Sequence, residues 1–307
     1  MIPGLKPYKE NYRIPFKAVH GVSDRYSLVS NQSNNIDGKW DCTFEIDTED
    51  EYKAVGIFNQ KEDIITGTFL TETGDYRFLE GKIVGSKMYL SAFDGAHAFL
   101  FNAKMMDDGT LSGTFRSGSQ YTTNWEGSRN DTITLTDAYD LTKSVSKQQL
   151  SFSFKNTDGN MVDINDEKFK NKIKIIQIMG TWCPNCMDET VFLKEYLEKN
   201  PSDDVALFSI GFERYKDENK SLNALKRFKD KLNLEHEVLF GGYYDKKVAS
   251  QTLPQLDKIM SYPTLIITDK NNQILKIHTG FSGPATPGYE KFKTEFNEIL
   301  SEIKRQK

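Results

Sequence analysis

"IKIIQIMGTWCPNCMDE", Ile173 to Glu189, runs a continuous apolar stretch into two cysteines separated by two residues. An unbroken apolar run of this length suits a strand buried on both faces, as in a parallel sheet. After it, "DETVFLKEYLEKN" places Val191, Leu193, Tyr196 and Leu197 at helical spacing. The two cysteines therefore open a helix directly after a buried strand. A cysteine at a helix start gains thiolate character from unpaired backbone N–H groups and the helix dipole. Cys183 stands where that help is largest, and Pro184 suits the first helical position, where its missing N–H costs nothing. Cys186 lies one turn on along the same side, placed to attack a mixed disulfide formed at Cys183. The spacing assigns Cys183 as nucleophile and Cys186 as resolver.

A structural zinc site needs four ligands, and the other candidates are Cys42 and the scattered His20, His97, His236 and His278. No metal is expected. Two inert buried cysteines would more naturally sit in a loop or mid-strand than at a helix start behind Trp182.

Working outward, strands and helices alternate from about Ser153 to the C-terminus. "VALFSIGF", "HEVLFGG", "PTLIITD" and "QILKIHTGF" read as strands, and "NKSLNALKRFKDKLNL" and "GYEKFKTEFNEILSEIKRQK" as helices. "DKKVASQTLPQLDKIM" reads as helical, interrupted near Pro254. This order predicts an α/β sheet of mixed strand directions. The N-terminal half differs. From about Tyr12 to Arg129, short period-two runs such as "KWDCTFEI" and "KMYLSAFDG" alternate with Gly, Asp and Asn, as in an antiparallel meander. Asp108-Gly109 in "MMDDGTLSG" marks a tight hairpin turn. Closure into a barrel would remove the exposed edges of so many short strands. Two domains follow: an all-β antiparallel meander or barrel over 1–135 and an α/β domain over 151–307, joined by a polar linker, 136–150. Cys42 alternates with Trp40 and Phe44 and reads as core. "ENYRIPFKAV", 10–19, reads as a further strand.

The chain has 307 residues and a net charge of −4. That charge, spread along the sequence, argues against a nucleic-acid partner. No run of about 18 apolar residues is present, so no membrane span is expected. The first residues lack the basic head and apolar run of a signal peptide. Either the protein is cytosolic or an export segment preceded Met1.

"IQIMGTWCPNCMDE" resembles the active-site segment of the thioredoxin superfamily, and most of all the TlpA/ResA group of bacterial envelope thiol-disulfide oxidoreductases. The resemblance covers Ser153 to the C-terminus. It implies a thioredoxin-like fold, with the redox-active pair Cys183–Cys186 serving in place of any cofactor. It further implies that Pro263 of "SYPTLIITD" is the cis-proline facing the pair, the plainer alternative being a trans proline that starts a strand. The same resemblance implies that Trp182, Pro184, Tyr262 and Pro263 form the substrate-facing surface. Glu189 matches an acidic position of the group and would exchange protons with the dithiol if buried; a solvated helix glutamate is the alternative. Glu213, at the end of "VALFSIGFE", ends a strand on the side where ligands usually sit in α/β sheets, although a structural surface role fits it better. Gln177 stands where thioredoxin carries a buried carboxylate, so no proton acceptor is expected there. "DGKWDCTFE" resembles the first strand of lipocalin-like and avidin-like barrels, although Trp40 also fits ordinary core.

These resemblances imply an extracytoplasmic protein disulfide reductase, with protein disulfides as substrates and a redox partner that recharges the pair. An oxidase or isomerase built from the same residues is the alternative. A β-barrel binding protein with a redox-regulated accessory domain is another; a lumen filled by Phe and Tyr would weaken it.

Overall fold

The computed structural model describes residues 33–305 apart from 96, 120, 146 and 147, together with 20, 21, 25 and 26. The expected strand over 10–19 lies outside the described residues. Two compact units are present. One holds the described residues through Leu135 except Glu72–Gly74; the other holds Glu72–Gly74 and the described residues from Thr136 on.

In the first unit the strands are β1 (Gly38–Phe44), β2 (Tyr52–Lys61), β3 (Ile64–Thr71), the two-residue β4 (Gly74–Asp75), β5 (Leu79–Val84), β6 (Lys87–Phe93), β7 (Ala98–Met105), β8 (Leu111–Ser117) and β9 (Tyr121–Arg129). They pair in the order β2-β1-β9-β8-β7-β6-β5-β3-β4, and β2 also pairs with β3. That last pairing closes eight antiparallel strands into a barrel, leaving β4 as a short extension beside β3. The alternation in the sequence gives these strands one inward and one outward face. Along β9, Tyr121, Thr123, Trp125 and Gly127 point inward while their neighbours are exposed.

Aromatic rings fill the interior. Phe101 stacks on Phe115 with centroids 4.3 Å apart and on Phe69 at 4.7 Å, and Phe44 lies 5.7 Å from Trp125. The rings touch one another where a ligand would need space, which works against a binding lumen. Trp40 belongs to this core, its Nε1 donating to the Ile36 carbonyl at 2.9 Å, with Arg129 over its ring. Cys42 is also core: it is fully buried, and burial pushes its thiol up to about 12. At the β7–β8 hairpin only Gly109 takes a positive φ, 84°. Asp108 instead accepts hydrogen bonds at Oδ1 from the N–H and hydroxyl of Thr110. The loop is thus a turn closed by a left-handed glycine rather than a two-residue turn with both φ positive.

The second unit contains β10 (Ser153–Asn156), β11 (Met161–Asp163), β12 (Ile173–Met179), α1 (Pro184–Lys199), β13 (Val205–Glu213), α2 (Glu218–Leu232), β14 (Glu237–Tyr243), α3 (Lys246–Thr252), β15 (Thr264–Thr268), β16 (Ile274–Thr279) and α4 (Gly288–Arg305). Its sheet order is β11-β10-β14-β13-β12-β15-β16. β12, β13 and β14 run parallel, while β15, β16, β10 and β11 pair antiparallel. This is the mixed α/β sheet of a thioredoxin-like fold. β12 is central and buried at every position, as its apolar run requires.

The helix before Pro254 is interrupted where expected: it stops at Thr252, because a proline lacks the N–H that would continue it and disfavours helical φ/ψ in the residue before it. The described residues of 136–150 form no helix or named strand, yet they are bound along this unit. Thr279 N–H donates to the Ala138 carbonyl, Asp257 N–H to Lys143, Val145 N–H to Gln255 and Leu150 N–H to Asn272, while Leu141, Thr142 and Leu150 are buried. A polar segment without a period of its own takes its backbone partners from neighbouring loops.

The ring packing makes a prediction. Phe101→Ala should lower the unfolding free energy by about 3–5 kcal/mol, the usual cost of an aromatic-sized core cavity. Phe93→Ala, at a position 58% exposed, should change it by about 0.5 kcal/mol or less. Urea unfolding of the full chain compares the two.

Candidate active site

The site is assembled by the end of β12, the start of α1 and the loop before β15. As β12 ends, Gly180 allows a close crossing: a Cβ there would lie 2.4 Å from Trp182 Nε1 and 2.9 Å from the Phe212 carbonyl. Trp182 Nε1 donates to that carbonyl at 2.9 Å. Glu213, at the end of β13, fixes the adjoining residue. Its carboxylate accepts from Thr181 N–H and from the Thr181 hydroxyl, both at 2.8 Å. Glu213 is 1% exposed rather than a surface residue. Burial raises its pKa, against the two Thr181 hydrogen bonds and the charges of Arg214 and Arg227.

Cys183 caps α1. Its φ and ψ are extended, its sulfur accepts from Cys186 N–H at 3.2 Å, and Pro184 opens the helix. Cys183 and Cys186 form a disulfide with Cα atoms 5.2 Å apart. Cys186 is fully buried and Cys183 nearly so. The Tyr262–Pro263 peptide is cis, and the Tyr262 carbonyl oxygen lies 3.5 Å from Cys183 Sγ. Tyr262 presents this carbonyl, not its ring, to the pair. The ring is buried beside Trp182 and Phe212, and its hydroxyl donates to the Tyr244 carbonyl at 3.1 Å. Trp182 remains partly exposed, with Arg214 4.4 Å from its ring centre.

Behind the disulfide the apolar core gives way to polar groups. Glu189 is fully buried; its Oε2 accepts from Gln177 Nε2 at 2.9 Å, while Oε1 has no hydrogen-bond partner. Burial pushes its pKa up to about 8, only partly offset by the Gln177 bond. Gln177 also donates to the Cys186 carbonyl at 3.0 Å, and its Oε1 lies 2.8 Å from the Thr190 hydroxyl and 3.1 Å from that of Ser209. The face of α1 behind the pair is therefore Cys186, Glu189, Thr190 and Leu193, more polar than its apolar spacing suggests.

Cys183, Cys186, Trp182, Pro184, Tyr262, Pro263 and Glu189 thus come together. Sequence reasoning does not place Glu213, Thr190, Ser209 or the Gln177 amide in the site. Their signal is a polar residue interrupting a fully buried strand, Gln177 in "IKIIQIM" and Ser209 in "VALFSIGF", since a buried polar side chain must find a partner. No group of three or more His, Cys, Asp or Glu able to hold a metal occurs among the described residues.

The buried carboxyl carries a pH prediction. Between its ordinary value near 4.5 and the folded value of about 8, Glu189 holds a proton in the folded chain that the unfolded chain has lost. Its contribution is fully present below about 4.5 and disappears as pH rises through about 8. His236 and His278, whose pKa values burial lowers to about 3 and about 4, act in the opposite sense at acid pH. The difference in unfolding free energy between wild type and Glu189→Gln isolates the glutamate: it should fall across this window, and parallel pH curves would contradict the assignment.

The Redoxin family model matches residues 144–292. A curated relative, the thioredoxin-like protein YneN of Bacillus subtilis (strain 168), is 29% identical over 134 residues, 44% of this chain and 71% of its own. Among solved structures, the C-terminal domain of a thiol-disulfide oxidoreductase from Bacteroides thetaiotaomicron aligns at 19% identity and TM-score 0.39, covering 52% of this chain and 98% of that one. A thiol:disulfide interchange protein DsbE from Chlorobium tepidum aligns at 17% identity and TM-score 0.39, covering 52% and 99%. No helix among the described residues is long and apolar enough to cross a membrane. With a cysteine pair opening a helix after a fully buried strand, residues 144–292 are a Redoxin domain.

Proposed function

We propose that the protein is a protein disulfide reductase acting outside the cytoplasm. The observation that carries this reading is the position of Cys183: its sulfur meets an α1 N–H on one side and the carbonyl before a cis-proline on the other, with a buried carboxyl one turn beyond Cys186.

In the reduced state, helix-start N–H groups favour the Cys183 thiolate. It attacks a substrate disulfide. One bond forms between Cys183 and a substrate sulfur while the substrate disulfide breaks, and the other substrate sulfur leaves as a thiolate. Cys186 then attacks Cys183 Sγ, releases the second substrate thiol and leaves the Cys183–Cys186 disulfide. Two electrons pass to the substrate. Glu189, buried and one turn beyond Cys186, takes the Cys186 proton for the second step, a role its elevated pKa suits near neutral pH. Trp182 and Pro184 border the nucleophile, and the Tyr262–Pro263 backbone receives an extended substrate segment. A separate thiol partner restores the dithiol. The aromatic filling of the barrel supports this redox reading over a small-molecule binding function.

Cys186→Ser should accumulate mixed disulfides through Cys183 with extracytoplasmic proteins, visible as adducts on non-reducing gels and released by dithiothreitol. Cys183→Ser should give none. Equal adducts from both variants, or none from Cys186→Ser, would contradict the assigned roles.

A further inference from the structure

Two side chains outside the exchange chemistry complete a hydrogen-bonded chain that ends on Glu189. Gln177 on β12, Thr190 on α1 and Ser209 on β13 are all fully buried. His236, just before β14, lies with Nε2 3.0 Å from the Ser209 hydroxyl. The protons in this chain can be assigned from chemistry alone. A peptide carbonyl has none to give, so the end of Gln177 that lies 3.0 Å from the Cys186 carbonyl is its NH2. Its oxygen therefore faces the hydroxyls of Thr190 and Ser209. Thr190 has a single proton and two acceptors at 2.8 Å, Gln177 Oε1 and the Cys186 carbonyl. It does not hold the amide alone. With the Ser209 hydroxyl donating to Gln177 Oε1 at 3.1 Å, the Ser209 oxygen is left to accept from His236 in its Nε2–H tautomer.

We propose that Ser209 and His236 are positioning residues: acting through the Gln177 amide, they hold an N–H donor on the Glu189 carboxylate and so favour its ionised form. Glu189 Oε1 has no hydrogen-bond partner, which leaves the Gln177 bond as the interaction opposing burial. Without Ser209 the amide oxygen keeps only the shared Thr190 proton. Without the His236 N–H the Ser209 hydroxyl is free to rotate away. Burial keeps His236 neutral through the neutral range, where the proposal requires its Nε2–H tautomer. The titratable groups along this chain are Glu189 of α1 and His236; Cys183 and Cys186 do not titrate while joined as a disulfide, and Lys229 of α2 is the charge that acts on His236.

The consequence for exchange rests on the reductase reading, but the bond itself is testable in the disulfide form, where no exchange occurs. Carboxyl 13C NMR titration of the full-length disulfide protein follows Glu189, its signal identified by its absence in Glu189→Gln. Ser209→Ala and His236→Leu should each raise the Glu189 midpoint by about 0.5–1 pH unit, the scale of one net hydrogen bond. Ser209→Thr and His236→Gln, which retain the hydroxyl and an N–H donor, should return it toward wild type; a merely structural role predicts no such rescue. Midpoints within about 0.2 unit of wild type in folded Ser209→Ala and His236→Leu, a margin well below one hydrogen bond, would overturn the proposal. Should Ser209→Ala fail to fold, the His236→Leu and His236→Gln pair, at the partly exposed end of the chain, decides it. Shifted midpoints in a protein that exchanges with no disulfide would leave this inference standing and remove the reductase reading; unmoved midpoints in a protein that reduces disulfides would do the reverse.

Discussion

A helix start leaves backbone N–H groups without partners, and here a sulfur meets one of them. Cys183 caps α1 by accepting from Cys186 N–H, so the group that completes the helix is also the proposed nucleophile. The surrounding architecture keeps that overlap in place. β12 must end close to the helix start, which requires Gly180 under the Trp182 ring, and the turn between them is tied to β13 by Glu213 and the Phe212 carbonyl. A parallel neighbour on one side of β12 and antiparallel β15 on the other bring the Tyr262 carbonyl to the sulfur. The helix dipole then acts on the cysteine whose thiolate the chemistry needs.

Much of this arrangement is legible in the amino-acid sequence. The apolar run, the helix behind it and Pro184 follow from local rules that the fold obeys: buried parallel strands are apolar throughout, proline suits the first helical position, and period-two alternation marks strands with one buried face. The place of "YPT" beside the cysteines is legible only through the resemblance to the thioredoxin superfamily. The barrel is legible as an antiparallel meander because its alternation is regular, as along β9. Its closure is less so, since the pairing that completes the ring joins β1 to β9, the first of these strands to the last, and no local pattern connects them.

The pairing of buried polar groups is what the sequence hides. Gln177, which reads as the absence of a carboxylate, is instead the point where an amide satisfies Glu189, Cys186, Thr190 and Ser209 together. Residues spread from 177 to 236 meet there, and no local period connects them. Glu213 is hidden for the same reason: one glutamate at a strand end looks solvated until the loop it binds is folded against it. The segment 136–150 reads as a free linker because it is polar, whereas its backbone is held by loops more than 100 residues away. Low-dielectric burial makes such pairings costly to break and hard to foresee from sequence.

The central claim is that Cys183 and Cys186 are a reducing couple. Equilibrating the full chain with thiol buffers of known potential measures it directly. The account predicts a single two-electron transition at about −270 mV or lower, the range of thioredoxin-type reductants. A value between about −120 and −180 mV, typical of oxidases and isomerases, or the absence of a two-electron transition, would contradict it.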